Sequence, residues 1–424
     1  MELLRILADQ KEELMTLDIS SLISRPEEKD IDINSKFAQV VIGVRRCGKS
    51  TLCQKALIES KVNFGYVNFD DERLTKLTSL EFDDVLSALY QLNGEFNHLF
   101  LDEIQNIKNW PLVVNRMLRR GMHLVLTGSN ANLLSSDLVT HLTGRYKEIE
   151  LFPFSFAEYC RAKRVDISGL STKSQALLKR GLNEYLFEGG FPEIVDGTAP
   201  RHYARHLLAT IVQKDIVVRY RIRYPEIIWK LCNTLLDNIC CNISASALAD
   251  KFGVKSFHTV ERYLSFLQNA YLLVSLKKYS NKAIERKLAM KGYAIDMGFV
   301  SDHEDRFQTE GLGWRLENVV AIELLRRARN TEEEIYFGEE ARKYNIDFIV
   351  AINGRIKELI QVTYDFTNPS VKLYNREIGN LKKAAKLTGC KHLTLIIMEG
   401  DERKLQEDGL TINIQNATRW LLNP

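Results

Sequence analysis

Long apolar runs are missing from this chain. None approaches the roughly 18–20 residues that a membrane-spanning helix needs, so no transmembrane segment is expected. A cysteine framework is missing too. The seven cysteines are Cys47, Cys53, Cys160, Cys232, Cys240, Cys241 and Cys390, an odd and scattered set with no CxxC pair and no Cys/His spacing that fits zinc. Such a set argues against a disulfide scaffold and reads as the reduced thiols of a cytoplasmic protein. Charge of one sign is also scarce, with a formal net charge of +3 over 424 residues. The molecule as a whole is no polycation, and any nucleic-acid contact must come from local patches. Neither an internal repeat nor a low-complexity linker breaks the chain, so its modules are expected to pack together. The opening "MELLRILADQKEELM" mixes acidic and basic residues through its apolar positions and predicts an amphipathic helix rather than a signal peptide.

What is present suits a globular protein with a sizeable core. Hydrophobic residues make up 45% and charged residues 27%. The length predicts about two to four domains. From residue 36 to about 155, short apolar strands alternate with helices. "FAQVVIG", "FGYVNF", "HLFLDE", "HLVLTGS" and "KEIELF" read as strands. "KSTLCQKALIES", "FDDVLSALYQL", "WPLVVNRMLRRG" and a segment across 131–143 read as helices. That alternation predicts a parallel sheet covered on both faces. Residues 156–200 read as helical with a break at "EGGFPE", and 201–295 as helix-rich. A second α/β pattern begins near 305, with the helix "WRLENVVAIELLRRA", the strands "EIYFG", "YNIDFIVAI" and "KELIQVTY", a helix near 375–388 and the strand "HLTLIIM".

The first strand runs into Gly43, Val44, Arg45, Arg46, Cys47, Gly48, Lys49 and Ser50, which fit G-x-x-x-x-G-K-[ST]. A loop of this kind bends so that successive N–H groups point at a phosphate, and glycine tolerates the angles. The helix that follows adds the positive end of its dipole. Lys49 supplies a full charge toward the β and γ phosphates, the Ser50 hydroxyl suits Mg²⁺, and Thr51 is placed for the α phosphate. "HLFLDEIQ" ends a strand in Asp102 and Glu103. Asp102 is expected to hold the metal and Glu103 to polarise a water, a pairing that points to hydrolysis more than to transfer onto a small molecule. At the end of "LVLTGSNA", Ser129 or Asn130 is placed for the γ phosphate or that water. Arg145 is a candidate for stabilising the transferring phosphoryl group, from the same subunit or from a neighbour.

These pieces, in this order, resemble an AAA+/STAND-type P-loop ATPase. With "LTGRY", "ELFPFSFAEY" and "GGFPE" they look like the archaeal-type ATPase family of bacteria and archaea. The resemblance implies ATP and Mg²⁺ as cofactors. It casts Ser129 or Asn130 as sensor 1 and Arg145 as arginine finger, and it is compatible with a homo-oligomer. The fold class it implies is α/β: a P-loop parallel sheet with a helical lid and winged helix, plus a C-terminal α/β restriction-endonuclease-like module. The expected partition is a helical lead-in over 1–35, the ATPase core over 36–155, a lid over 156–200, a helical and winged-helix domain over 201–300, and the nuclease-like domain over 301–424.

"ISASALADKFGVKSFHTVERYLSFLQNAYLLVSLKKYS" resembles a winged helix-turn-helix whose second helix presents His258, Thr259, Glu261 and Arg262. Lys277, Lys278, Lys282, Arg286, Lys287 and Lys291 follow, opposed by Glu285, so the stretch 277–291 is a candidate for DNA or RNA phosphates. A winged helix is as often a protein-contact module. "KDIVVRYRIRY" carries Lys214, Arg219, Arg221 and Arg223, for which packing and ion pairing are the first expectation. Beyond 301, Glu317, Asp347 and Gln361 match the PD-(D/E)XK nuclease pattern, but Thr363 stands where that family has lysine. The loss predicts an impaired catalyst that could still bind one metal weakly, with Lys357 and Lys372 as conceivable substitutes. Three readings stay open: an ATPase acting on nucleic acid, an ATP-switched signalling scaffold with a protein partner, and an ATP-gated nuclease.

Overall fold

Strand β1 (Ala38–Ile42) is buried at every position, as a near-continuous apolar run demands. It is flanked in parallel by β4 (His123–Gly128) and β5 (Tyr146–Glu150), while β2 (Phe64–Asn68) and β3 (His98–Asp102) continue the sheet beyond β4. The order β2-β3-β4-β1-β5 brings the carboxyl ends of β1, β3 and β4 to one edge, where parallel α/β sheets bind ligands. The computed structural model describes residues 2–130, 142, 144–280, 289–301, 311–340 and 343–423. The helix expected across 131–143 falls outside that set except for Leu142, as do Lys282, Glu285, Arg286 and Lys287 of the basic stretch. The chain divides into two compact units, Met1–Phe152 with Asn269–Tyr271, and Pro153–Gln268 with Leu272–Pro424.

In the first unit the opening residues form the amphipathic helix α1 (Glu2–Met15), which buries Ile6 and Leu7. Its Gln10 covers the end of edge strand β2: the amide Nε2 donates to Asn68 O (3.1 Å) and Oε1 accepts from Asn68 N (2.9 Å). Both main-chain groups of that position are thereby satisfied. Helix α2 (Lys49–Glu59) leaves directly from the glycine loop. Helices α3 (Phe82–Asn93) and α4 (Trp110–Arg119) connect the remaining strands.

The second unit begins with helices, and its glycine pair has a mechanical reason. After the helix Thr172–Glu188, the Gly190 N–H donates to Asp296 Oδ2 (2.7 Å), while Asp296 Oδ1 accepts from Gly298 N (2.8 Å). A Cβ on Gly189 would lie 1.8 Å from Asp296 Oδ1, and one on Gly190 would lie 2.2 Å from Phe154 O. The "EGGFPE" break is therefore a close approach between two backbone segments, clamped by one buried carboxylate. Next, the helix Tyr203–Thr210 widens into a π-helical stretch, Ile211–Val218. Helices Pro225–Asp237, Ala245–Phe252 and Phe257–Asn269 follow, interleaved with an antiparallel trio in the order β7 (Leu273–Lys278), β8 (Met290–Ala294), β6 (Cys241–Ile243).

This trio does not stand apart from the second α/β pattern. Lys277 and Lys278 of β7 pair in parallel with Tyr336 and Phe337 of β9 (Glu333–Glu340). The sheet then continues through β10 (Tyr344–Ile352), β11 (Arg355–Asp365), β12 (Leu393–Glu399), β14 (Leu410–Asn416) and β13 (Arg403–Glu407), nine mixed strands in all among the described residues. The helix Leu312–Ala328 crosses near β8, β9 and β11 and buries Leu316, Val319 and Val320. A two-residue contact between β7 and β9 is thus enough to fuse what the sequence presents as separate blocks.

Candidate active site

The loop after β1 is built on backbone angles that few residues adopt. Gly43 has φ +151°, and a Cβ there would lie 2.1 Å from Leu151 O. Gly48, at φ +98°, caps α2 without any side-chain bond, so the first-turn N–H groups of Lys49, Ser50 and Thr51 face the loop with no cap acceptor. That is the local recipe for an anion site. Arg46 is exposed and takes φ +67°. Cys47 points away into the protein: its Sγ donates to Leu151 O (3.3 Å), and burial pushes the thiol above its usual range. Arg25, which sequence reasoning did not single out, braces the loop from behind. Its guanidinium donates to Cys47 O (3.2 Å) and to Phe152 O (2.8 Å). Arg45 is drawn to one side by Asp70 (3.0 Å).

Asp102 and Glu103, at the end of β3, meet this loop. Ser50 Oγ donates to Asp102 Oδ1 (2.8 Å), and the Thr127 hydroxyl of β4 donates to the same oxygen. Thr127 Oγ1 in turn accepts from Glu103 N (2.9 Å), which holds Glu103 at φ +52°. The buried Lys49 ammonium donates to Val44 O (3.2 Å) and lies 3.6 Å from Glu103 Oε1. Gln105 Nε2 donates to Glu103 Oε2 and, at 3.4 Å, to Ser129 Oγ. Burial and the adjacent Glu103 charge push Asp102 up to about 6. Burial works in the same direction on Glu103, but the Lys49 ammonium, with Arg45, outweighs it and holds that carboxyl below its ordinary range. Thr127 and Gln105 are functional neighbours that the sequence motif did not reveal. The "LTGS" strand end was the available signal for the first.

Ser129 and Asn130 are buried at the carboxyl end of β4, beside this cluster. Thr51 is half-buried on the first turn of α2. Arg145 is elsewhere. Its carbonyl accepts from Ala38 N (3.1 Å), at the amino end of β1, and its own side chain is exposed. Five residues at about 3.3 Å each separate that end from Gly43, roughly 16 Å. Arg145 is therefore out of reach of its own loop, which corrects the same-subunit half of that expectation. The donor set suits Mg²⁺-nucleotide: hard oxygens from Ser50 and Asp102 side by side, an ammonium, and an uncapped helix start.

A second polar cluster lies in the mixed sheet. Lys291 Nζ lies 2.6 Å from Glu317 Oε1 and 3.9 Å from Asp347 Oδ1, and Tyr293 OH donates to Glu317 Oε1 (3.3 Å). Asp347 Oδ2 accepts from Val362 N (2.9 Å), and Asp347 N donates to Gln361 Oε1 (2.7 Å). Gln361 Nε2 donates to Glu377 Oε2 (2.8 Å). Burial and the Asp347 charge push Glu317 up to about 7, while Glu317 and Asp347 together keep Lys291 protonated against burial. Glu317, Asp347 and Gln361 are thus gathered as the pattern predicts. Neither expected lysine substitute joins them: Lys357 pairs with Glu333 at the surface, and Lys372 is exposed on the short helix Val371–Tyr374. Lys291, read as part of a phosphate-facing stretch, is instead turned inward, which corrects that residue's assignment. Lys277 is exposed and Lys278 half-buried. On the helix Phe257–Asn269, His258 is engaged with Glu261 (2.8 Å).

Residues 35–160 match the family model described as an AAA domain, and residues 179–309 match a domain of unknown function (DUF8612). An uncharacterised protein of Methanocaldococcus jannaschii is 32% identical over 374 residues, covering 84% of this chain and 82% of its own length. An uncharacterised protein of Haemophilus influenzae is 31% identical over 357 residues, covering 80% and 84%. Among solved structures, a Walker-type ATPase of Pyrococcus abyssi aligns over 66% of this chain and 96% of its own, at 17% identity and a TM-score of 0.44.

Proposed function

Because the chain belongs to the family of the Methanocaldococcus jannaschii and Haemophilus influenzae proteins and carries an AAA domain, we propose that it binds and hydrolyses Mg-ATP at the carboxyl edge of its parallel sheet. The observation that carries this reading is the meeting of Lys49 and Ser50, which follow β1, with Asp102 and Glu103 at the end of β3, across the intervening end of β4. The loop N–H groups and Lys49 bind the phosphates. Ser50 and Asp102 hold Mg²⁺, which when bound neutralises charge on the phosphates. Lys49 exchanges Glu103 for phosphate oxygens, and the freed Glu103 carboxylate orients a water and takes its proton. Thr127 holds the Asp102 carboxylate and the Glu103 main chain in register, and Gln105 links Glu103 to Ser129, the residue best placed to sense the γ phosphate, with Asn130 beside it. The test is ATP turnover and equilibrium nucleotide binding in Glu103→Gln and Lys49→Ala. The first variant should retain nucleotide without turning it over, and the second should lose both. Undiminished turnover in Glu103→Gln would reject the reading.

The modules expected from the sequence become part of the same proposal: lead-in 1–35, ATPase 36–155, lid 156–200, winged helix within 201–300, nuclease-like 301–424. Nucleic acid is the client that one observation favours. Residues 201–224 expose Arg201, Arg205, Lys214, Arg221 and Arg223, while Asp215, the sole acidic residue among them, is buried near Arg219 (3.9 Å). A solvent-facing arm of this kind suits phosphates, and its binding should weaken steeply with salt. ATPase rates with and without single- and double-stranded DNA and RNA decide it. If none stimulates and none binds in a salt-dependent way, the protein-partner scaffold takes its place.

A further inference from the structure

The nuclease pattern completed by Glu317, Asp347 and Gln361 implies a divalent metal held between the two carboxylates. The residues present do not fit one, and Lys291 is the reason. Its ammonium lies 2.6 Å from Glu317 Oε1 and 3.9 Å from Asp347 Oδ1, so it sits where a cation shared by the two acids would sit. Several neighbouring polar atoms are engaged as well. Asp347 Oδ2 accepts from the main chain at Val362, and the Gln361 amide is oriented from both ends. Its oxygen receives Asp347 N and its nitrogen is spent on Glu377 Oε2. Glu377 Oε1 is taken by Arg376 (2.5 Å). Among the described residues no group of three or more His, Cys, Asp or Glu side chains is disposed to hold a metal ion.

We infer that Lys291 is a built-in cation that replaces the divalent metal, so that the C-terminal pocket is held together by an internal ion pair and works without metal. This inference does not depend on the ATPase reading. Lys291 comes from β8, where it pairs with Asn242 and Leu276 of the strands on either side, so its backbone is anchored on both edges. Its side chain is 12% exposed, and those of Glu317 and Asp347 are 14% and 15% exposed. An ammonium on a strand interior cannot be diluted away as an exchangeable ion can, and it supplies one charge where magnesium supplies two. It also has no open coordination position for a phosphate oxygen or a water. The absence of a lysine at Thr363 then has a counterpart: the positive charge of this pocket is contributed from β8.

Calorimetric titration with MnCl₂, on full-length protein without nucleotide, tests the inference. Wild type should give no saturable isotherm attributable to this pocket. Lys291→Met leaves Glu317 and Asp347 facing an empty position and should gain stoichiometric Mn²⁺ binding, with a matching upward shift in melting temperature. Both gains should vanish in the double variant with Asp347→Asn. Wild-type Mn²⁺ binding that Asp347→Asn abolishes would overturn the inference, as would a folded Lys291→Met that gains none. Incubation of wild type with plasmid and Mn²⁺ keeps the question open to refutation even if Lys291→Met fails to fold. Cleavage that disappears in Asp347→Asn would show a working metal site.

Discussion

Lys49 is buried and Lys291 nearly so, both face a glutamate, and both have a second acidic side chain close by. Their settings differ in how firmly they are held. Lys49 rests 3.6 Å from Glu103 and takes a main-chain carbonyl as its nearer partner, at the mouth of a glycine loop and an uncapped helix. Lys291 is 2.6 Å from Glu317, on a strand anchored on both sides. The carboxyls respond in opposite directions. Glu103 is held below its ordinary range, whereas Glu317 is raised to about 7. The comparison teaches that similar charges make a ligand site or a closed cluster according to the backbone that presents them. A loop offering unsatisfied N–H groups lets its lysine be claimed by an incoming anion, while a sheet interior offers nothing to trade.

The largest effect expected from breaking the comparison is at Lys291. Lys291→Met strands two largely buried carboxylates and should cost about 3–5 kcal/mol in denaturant unfolding of metal-free protein. A cost under about 1 kcal/mol would mean the pair is effectively solvated. Next comes Glu103→Gln, expected to lower ATP turnover by about 10²–10³-fold with nucleotide binding intact. The electrostatic contrast can then be sharpened with pH. Glu103, lowered on folding, contributes stability that is present above its usual range and lost as pH falls through its folded value. Glu317, raised on folding, contributes stability that is present below its usual range and lost as pH rises toward about 7. Relative to wild type, Glu317→Gln should therefore gain between pH 5 and 8, and Glu103→Gln should lose its handicap as pH falls below the ordinary carboxylate range. Melting curves across that range would show the opposite slopes. The smallest effect is Lys357→Ala, which removes an exposed pair with Glu333 and should shift stability by at most about 0.5 kcal/mol.

The site of the first unit was legible because its chemistry is contiguous. Gly43 through Ser50 is one loop with one spacing, and Asp102 and Glu103 end one apolar strand, so local pattern sufficed. Arg25 was not legible, since its contact lies 22 residues away in sequence, and Thr127 left only the "LTGS" strand end as a trace of a contact 25 residues away. The C-terminal cluster was half legible. Glu317, Asp347 and Gln361 came from the resemblance to the nuclease pattern, but Lys291 is separated from Glu317 by 26 residues and belongs to a strand that the sequence places in the preceding block. What joins them is the β7–β9 pairing, two residues wide and without sequence signature. The π-helical stretch at Ile211–Val218 left no mark in the apolar pattern either. The hairpin β13–β14, by contrast, had its signal in plain view: Asp408 and Gly409 both take positive φ, as a two-residue turn requires.

The position of Arg145 carries a kinetic consequence. If Arg145 takes part in the proposed hydrolysis, its place at the amino end of β1 requires a triphosphate held by another molecule of the same chain, and the catalytic unit then comprises at least two copies. Specific activity should then fall on dilution, and mixing Arg145→Ala with excess Lys49→Ala should restore turnover that neither preparation has alone. A rate per chain that stays constant across dilution would leave Arg145 a surface residue.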